Sequence, residues 1–312
     1  MHPAFSVIFF TVSSGAGFGL FVLLVLADLL GLGGGLSTDQ KLTAGVIALL
    51  LISGGLTSSV FHLANPKNAW RAFSRYRTSW LSREGVFAVI FFPFALAYLG
   101  LTWLGMSDLV WLTKVMGVIA VLLAWITIFS TGMIYACLKT IRQWNSPLVP
   151  ANYLALGHFL GALILLAIAN YSNAVALGAY VALTMGLLVI AATLKAIYYF
   201  WIVNPGATSS IKTATGFTRG NVRLLDTGHT HGTFLTQEFG FQVARQFSIL
   251  LKMVVFLAAF VIPAILLLAM PATQENLYIL TVIALIGIFT ERWLFFAEAR
   301  HVVNLYHGAQ RT

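Results

Sequence analysis

The sequence predicts an all-α integral membrane protein, a bundle of eight transmembrane helices with both termini in the cytoplasm. Three observations lead there. Of 312 residues, 59% are hydrophobic and only 9% charged, against roughly 25% charged in an ordinary soluble domain. The apolar residues gather into eight runs, at about 5–30, 42–62, 84–105, 110–138, 151–170, 174–200, 246–270 and 276–299. Each is near or above the ~20 residues that a spanning helix needs. The cations are distributed unevenly. The connections 63–83, 139–150 and 201–245 and the C-terminal end hold 13 of the 18 Lys and Arg, which sets those segments and both termini on the cytoplasmic side. The net charge of +9 is therefore read as loop orientation and not as nucleic-acid binding.

The first run contains SSGAGFG, with Gly15, Gly17 and Gly19. Small residues at this depth predict close helix crossing. A phosphate-binding loop is excluded, because no strand precedes the glycines. The opening MHPAFSVIFF has no basic segment, so no cleavable signal is expected. Punctuation separates the later runs: GLGGGLSTDQK after the first, NSPLVPAN before the fifth and PATQEN before the last. The single cysteine, Cys137, excludes a disulfide framework and a thiolate-held cluster or zinc within the chain. The connection 201–245 is longer than a bundle needs. Its four phenylalanines, Phe217, Phe234, Phe239 and Phe241, favour a segment that docks on a partner or folds over the bundle rather than a disordered linker.

The segment from Thr57 to Ala88, TSSVFHLANPKNAWRAFSRYRTSWLSREGVFA, concentrates chemistry at one membrane boundary. His62 ends the second run and Glu84 opens the third. Between them lie Lys67, Arg71, Arg75, Arg77 and Arg83 and the rings of Trp70, Phe73, Tyr76 and Trp80. Ser58 shares a helix face with His62 at four-residue spacing. Two readings compete. An interfacial histidine and a helix-start glutamate need no function. A membrane-dissolved quinone, by contrast, needs an apolar slot, a hydrogen-bonding group and a titratable group in touch with water, and histidine suits the last role. Thr57, Ser58, Phe61, His62, Trp80, Arg83 and Glu84 are the candidates for such a pocket.

Other titratable groups are weaker signals. His158 in the fifth run could pair with His62 across the bundle as a haem arrangement, although His62 sits shallow for that. His229 and His231 lack a third metal ligand, and no metal site is expected. Lys195 and Lys252 are expected to snorkel to the cytoplasmic face. Glu291 lies deeper, and Arg292 or Lys252 are its candidate partners.

The run FHLANPKNAWRAFSRYRTSWLSREGVFA resembles the signature segment of the DMSO reductase anchor (DmsC) family, and RWLFFAEARHVVNLYH, Arg292 to His307, resembles it as well. The opening MHPAFSVIFFTVSSGAGFGLF and DTGHTHGTFLTQEFGFQVAR are similar to the branch that anchors molybdenum-dependent, quinone-linked sulfite dehydrogenases (the SoeC type). The resemblance covers nearly the whole chain. It implies a three-subunit oxidoreductase of the bacterial cytoplasmic (inner) membrane. Molybdopterin lies in a large catalytic subunit, and electrons pass through a smaller iron–sulfur subunit. This chain is an anchor that exchanges them with ubiquinone or menaquinone, holding no sulfite or molybdenum site itself. The family's histidine and glutamate flanking the signature fall on His62 and Glu84. Anchors of this type carry no haem, which lowers that option here. Lys67, Arg71, Arg75 and Arg77 are expected to face the iron–sulfur subunit or lipid phosphates. The alternatives are an anchor that oxidises menaquinol for a DMSO- or polysulfide-type reductase, a purely structural anchor and a transporter. The last is weakened by the absence of a repeat between spans 1–4 and 5–8.

Overall fold

The computed structural model describes residues 4–61, 63, 65–171, 176–203, 209–217, 219–226, 231 and 246–312. Among them, eight helices are long and apolar enough to cross a membrane: α1 (Phe5–Leu30), α2 (Thr38–Val60), α3 (Trp80–Leu104), α4 (Val110–Ala136), α5 (Leu148–Asn170), α6 (Leu177–Val203), α8 (Ser248–Ala269) and α9 (Gln274–Ala297). A short helix, α7 (Ile211–Thr215), lies between α6 and α8. No named strand occurs among the described residues, only the isolated bridges Ile141–His301 and Ser210–Arg311. The all-helical, eight-span expectation is met. In a membrane this follows from the need to pair every backbone N–H and C=O within the segment.

The bundle is built around α1 and α5. About 83% of the apolar window of α1 and 78% of that of α5 is buried in protein, against 22–28% for α2, α3, α4, α6 and α8. Glycine explains the pairing. A Cβ on Gly19 would fall 2.2 Å from the carbonyl oxygen of Gly157, and one on Gly161 would fall 2.3 Å from the Leu20 nitrogen. The two backbones therefore touch, as small residues at an apolar crossing allow. Gly17 seats α2 in the same way: its Cβ would lie 2.7 Å from the Ala48 carbonyl. Two hydroxyls stitch that contact, Ser13 donating to the Leu51 carbonyl at 2.8 Å and Ser58 to the Ser6 carbonyl at 2.9 Å. The glycine-rich first span is a packing device, as its sequence suggests.

Charged groups mark both ends. At one end Asp28 pairs with Lys41 and accepts from Tyr98 Oη at 2.9 Å. The Ser37–Gln40 capping box starts α2 beside them. At the other, basic end the connections knit together. Trp144 Nε1 donates to the Phe295 carbonyl at 3.0 Å, Tyr198 Oη to the Gln143 carbonyl at 3.1 Å, and Val302 N to the Thr140 carbonyl at 3.0 Å. Ile211 N bonds the Gln310 carbonyl at 3.2 Å, tying α7 to the C-terminal segment. There, outside the spans, burial pulls the His301 imidazole below its ordinary pKa. Most of the connection 201–245, including Phe234, Phe239, Phe241 and His229, lies outside the described residues.

Candidate functional site

The start of α3 organises the basic end. Pro66–Arg75 forms a 3-10 segment that leads into it, with Lys67, Arg71, Arg75 and Arg77 exposed to solvent. Ser79 caps α3, accepting from Ser82 N at 3.4 Å. Ser82, buried, donates back to the Ala72 carbonyl and fastens the segment to the helix. Arg83 completes the closure. Its Nη2 reaches the Arg77 carbonyl at 2.8 Å, its Nε the Tyr76 carbonyl at 3.2 Å, and its guanidinium lies 4.3 Å over the Trp80 ring. The cation next in sequence to Glu84 is thereby turned outward, away from it.

Glu84, the fifth residue of α3, points inward and is 4% exposed. Its Oε1 accepts a hydrogen bond from Thr131 on α4. Among the described residues no Lys, Arg or His pairs with it. Glu84 is thus past the helix start and serves no cap; it reaches across to α4 as a buried acid with one neutral partner. Thr127, Thr131 and Tyr135 fall on one face of α4 at four-residue spacing. Tyr135 stacks on Tyr153 of α5, centroids 5.9 Å apart. Trp80, one turn before Glu84, meets Phe129 of α4 edge-on at 5.9 Å.

The remaining pocket candidates sit differently. Ser58 spends its hydroxyl on α1. Thr57 and Phe61 are exposed at the end of α2, Phe61 at 76%. His62 lies outside the described residues. Trp80, Arg83 and Glu84 are together on α3, joined there by Phe129 and Thr131. These two were missed from sequence, because a threonine or phenylalanine in an apolar run carries no mark of its own. The four-residue spacing of Thr127, Thr131 and Tyr135 was the one available signal.

A second acid is buried at the same end in a different setting. Glu291 of α9, with no exposed surface, is held between Lys195 of α6 and its neighbour Arg292. Arg292 lies 4.1 Å over the Tyr153 ring, and Lys195 lies 4.3 Å over Tyr198 and 4.7 Å over Tyr199. The expectation that Lys195 snorkels is overturned: its side chain is 1% exposed, because the buried carboxylate draws it inward. Lys252 is the one that reaches outward, pairing with Glu298 at 2.7 Å, so Glu291 takes Lys195 and not Lys252 beside Arg292.

His158 of α5 is engaged on both ring nitrogens. Trp125 Nε1 donates to its Nε2 at 2.9 Å, and its Nδ1 lies 2.7 Å from the Leu154 carbonyl. The largest cavity, about 590 Å³, opens at the opposite end and is lined by Asp39, Gln274 and Tyr278 among others, a membrane's thickness from Glu84. The basic end therefore combines an exposed cationic, aromatic surface with a buried proton-carrying group directly beneath it, an arrangement suited to exchange between a bound partner and a membrane-dissolved carrier.

Comparison with known proteins agrees with this architecture. A model of the DMSO reductase anchor subunit (DmsC) family matches residues 1–297. The third, or C, polypeptide of the sulfite dehydrogenase of Allochromatium vinosum is 33% identical over 321 aligned positions, covering 98% of this chain and 99% of that one. With eight apolar spanning helices, a family match over nearly its whole length and a full-length relative, the chain belongs to the DMSO reductase anchor subunit family, the multi-pass membrane anchors of molybdoenzyme complexes.

Proposed function

We propose that this chain is the quinone-reactive anchor of a sulfite:quinone oxidoreductase in the bacterial cytoplasmic membrane, with its basic end and both termini on the cytoplasmic side. The single observation that carries the reading is Glu84: a carboxyl buried without a cation among the described residues, one turn beneath a solvent-exposed basic segment. An ionisable residue placed so in a membrane end is a functional group until another role is found. The relative's name supplies sulfite as the substrate of the complex, and the positive-inside rule supplies the orientation.

The division of labour follows from the side chains. Lys67, Arg71, Arg75 and Arg77 present a charged face on which an iron–sulfur subunit docks, with lipid phosphates at its edge. The exposed rings of Trp70 and Tyr76 add apolar contact to it. Arg83 and Ser82 keep that segment rigid against α3. Ubiquinone or menaquinone supplies the two-electron, two-proton chemistry. Glu84 holds a proton at Oε1 or Oε2 within reach of the carrier's oxygen, and the Thr131 hydroxyl orients the carboxyl. His62, at the end of the preceding span, is the second proton-carrying group and the link to water. Trp80 and Phe129 exclude water from the apolar side. Molybdopterin and the iron–sulfur clusters reside in the partner subunits.

A menaquinol-oxidising anchor of a reductase would use the same groups in reverse, and the family's name rests on such an enzyme. Purification of the intact complex decides between them. Copurifying molybdenum and iron with sulfite-dependent quinone reduction supports the proposed direction. A complex that reduces an S-oxide or polysulfide with menaquinol, and leaves sulfite untouched, overturns it.

A further inference from the structure

Between α4 and α5 runs a groove of about 420 Å³, lined by Trp125, Ile126, Phe129, Leu154 and His158. Trp125, Ile126 and Phe129 are 38–41% exposed, on the outer surface of the bundle where lipid lies. Its two polar members saturate each other. An indole N–H only donates, so His158 Nε2 accepts from Trp125, and the single proton of the neutral imidazole sits on Nδ1 and is given to the Leu154 carbonyl. No donor or acceptor remains for the polar head of a ligand, and the wall is otherwise aromatic and aliphatic. Hydrocarbon fits it; a quinone ring seeking hydrogen bonds does not.

Depth and continuity identify which hydrocarbon. His158 is ten residues into α5 and Trp125 eleven residues from the end of α4, roughly 15 Å from the basic end at 1.5 Å per residue. Glu84 is four residues into α3, roughly 6 Å in by the same rise. The groove therefore leads from the neighbourhood of Glu84 toward the middle of a hydrocarbon layer about 30 Å thick. Phe129 belongs to both places, lining the groove and packing on Trp80 at 5.9 Å, one turn from Glu84.

We propose that the α4–α5 groove holds the isoprenoid tail of the quinone whose ring is handled at Glu84, and that the Trp125–His158 hydrogen bond clasps the two helices so that the groove stays open. The inference rests on the quinone reading of the Glu84 end. It makes Ile126, Phe129 and Leu154 determinants of tail recognition.

The test uses the assembled complex in lipid nanodiscs and a quinone bearing a diazirine on its first isoprenoid unit. Photolysis of the wild-type complex is expected to label residues 125–129 and 154–158, and Ile126→Trp, which fills the groove, to lose that label. In the same variant the KM for a tailed quinone, relative to a tail-less analogue, is expected to rise about tenfold, the loss of one or two buried methylenes' worth of binding. Label found on other helices or only on lipid, or KM values for the two quinones that move together, overturns the proposal. The labelling needs no variant to fold. Glu84→Gln separates the two readings: it slows tailed and tail-less quinones alike while the labelling persists. If Glu84→Gln is silent and the label still falls in the groove, the ring site fails and the tail site stands.

Discussion

Two carboxyls are buried at the basic end of the bundle, and they are kept in opposite ways. Glu291 lies between two cations, Lys195 and Arg292, each itself backed by aromatic rings. Glu84 has a threonine hydroxyl and no cation among the described residues. A carboxylate locked in an ion-pair cluster holds one charge state and fastens α6 to α9. A carboxyl with one neutral hydrogen-bond donor can gain or lose a proton without breaking up its surroundings. The comparison shows that burial alone does not make an acid functional; the absence of a fixed counter-charge does. The arginine adjacent to Glu84 sharpens the point, since Arg83 is directed at loop carbonyls and the Trp80 ring, leaving the carboxyl to itself.

The comparison breaks first at the structural acid. Glu291→Ala leaves Lys195 and Arg292 unpaired in the core and is expected to cost about 3–5 kcal/mol, read as a large fall in the amount and thermal stability of the assembled complex. An assembled complex of wild-type stability would remove Glu291 from its structural role. Gly19→Ala probes the crossing that carries both acids. Its Cβ meets the Gly157 backbone at 2.2 Å, so a loss of about 1–3 kcal/mol is expected from overpacking, measured by detergent-challenge unfolding. Thr131→Val removes the one donor to Glu84 while keeping the volume. It is expected to destabilise by about 1 kcal/mol and to slow quinone reduction several-fold, and an unchanged rate would show that Thr131 does not orient the carboxyl. Smallest is Glu298→Gln, which breaks the part-exposed pair with Lys252. Stability should change by less than about 1 kcal/mol, and a loss as large as that of Glu291→Ala would contradict the contrast between buried and exposed pairs.

The eight spans were legible because length and apolar composition are local properties, and so was the tight crossing at Gly15, Gly17 and Gly19. Glu84 was visible as an acid at a membrane boundary. Its partner was not: Thr131 lies 47 residues away on another helix, and helix–helix register is not written in either segment. Lys195 was misjudged for the same reason. Snorkelling is the default for a lysine near a span end, and only the fold brings Glu291, 96 residues later, against it. The Trp125–His158 bond was hidden likewise; the histidine was noticed as a haem candidate, whereas both of its nitrogens are taken by the protein.

The central claim is that Glu84 serves the quinone and nothing upstream of it. Single-turnover reduction of the assembled Glu84→Gln complex by sulfite, with the iron–sulfur clusters followed by electron paramagnetic resonance and quinol by absorbance, tests it most directly. The account predicts clusters that fill with electrons at the wild-type rate and then stay reduced, with quinol formation slowed about 100-fold or more, as loss of a proton-transfer group entails. Quinol formed at the wild-type rate would contradict it.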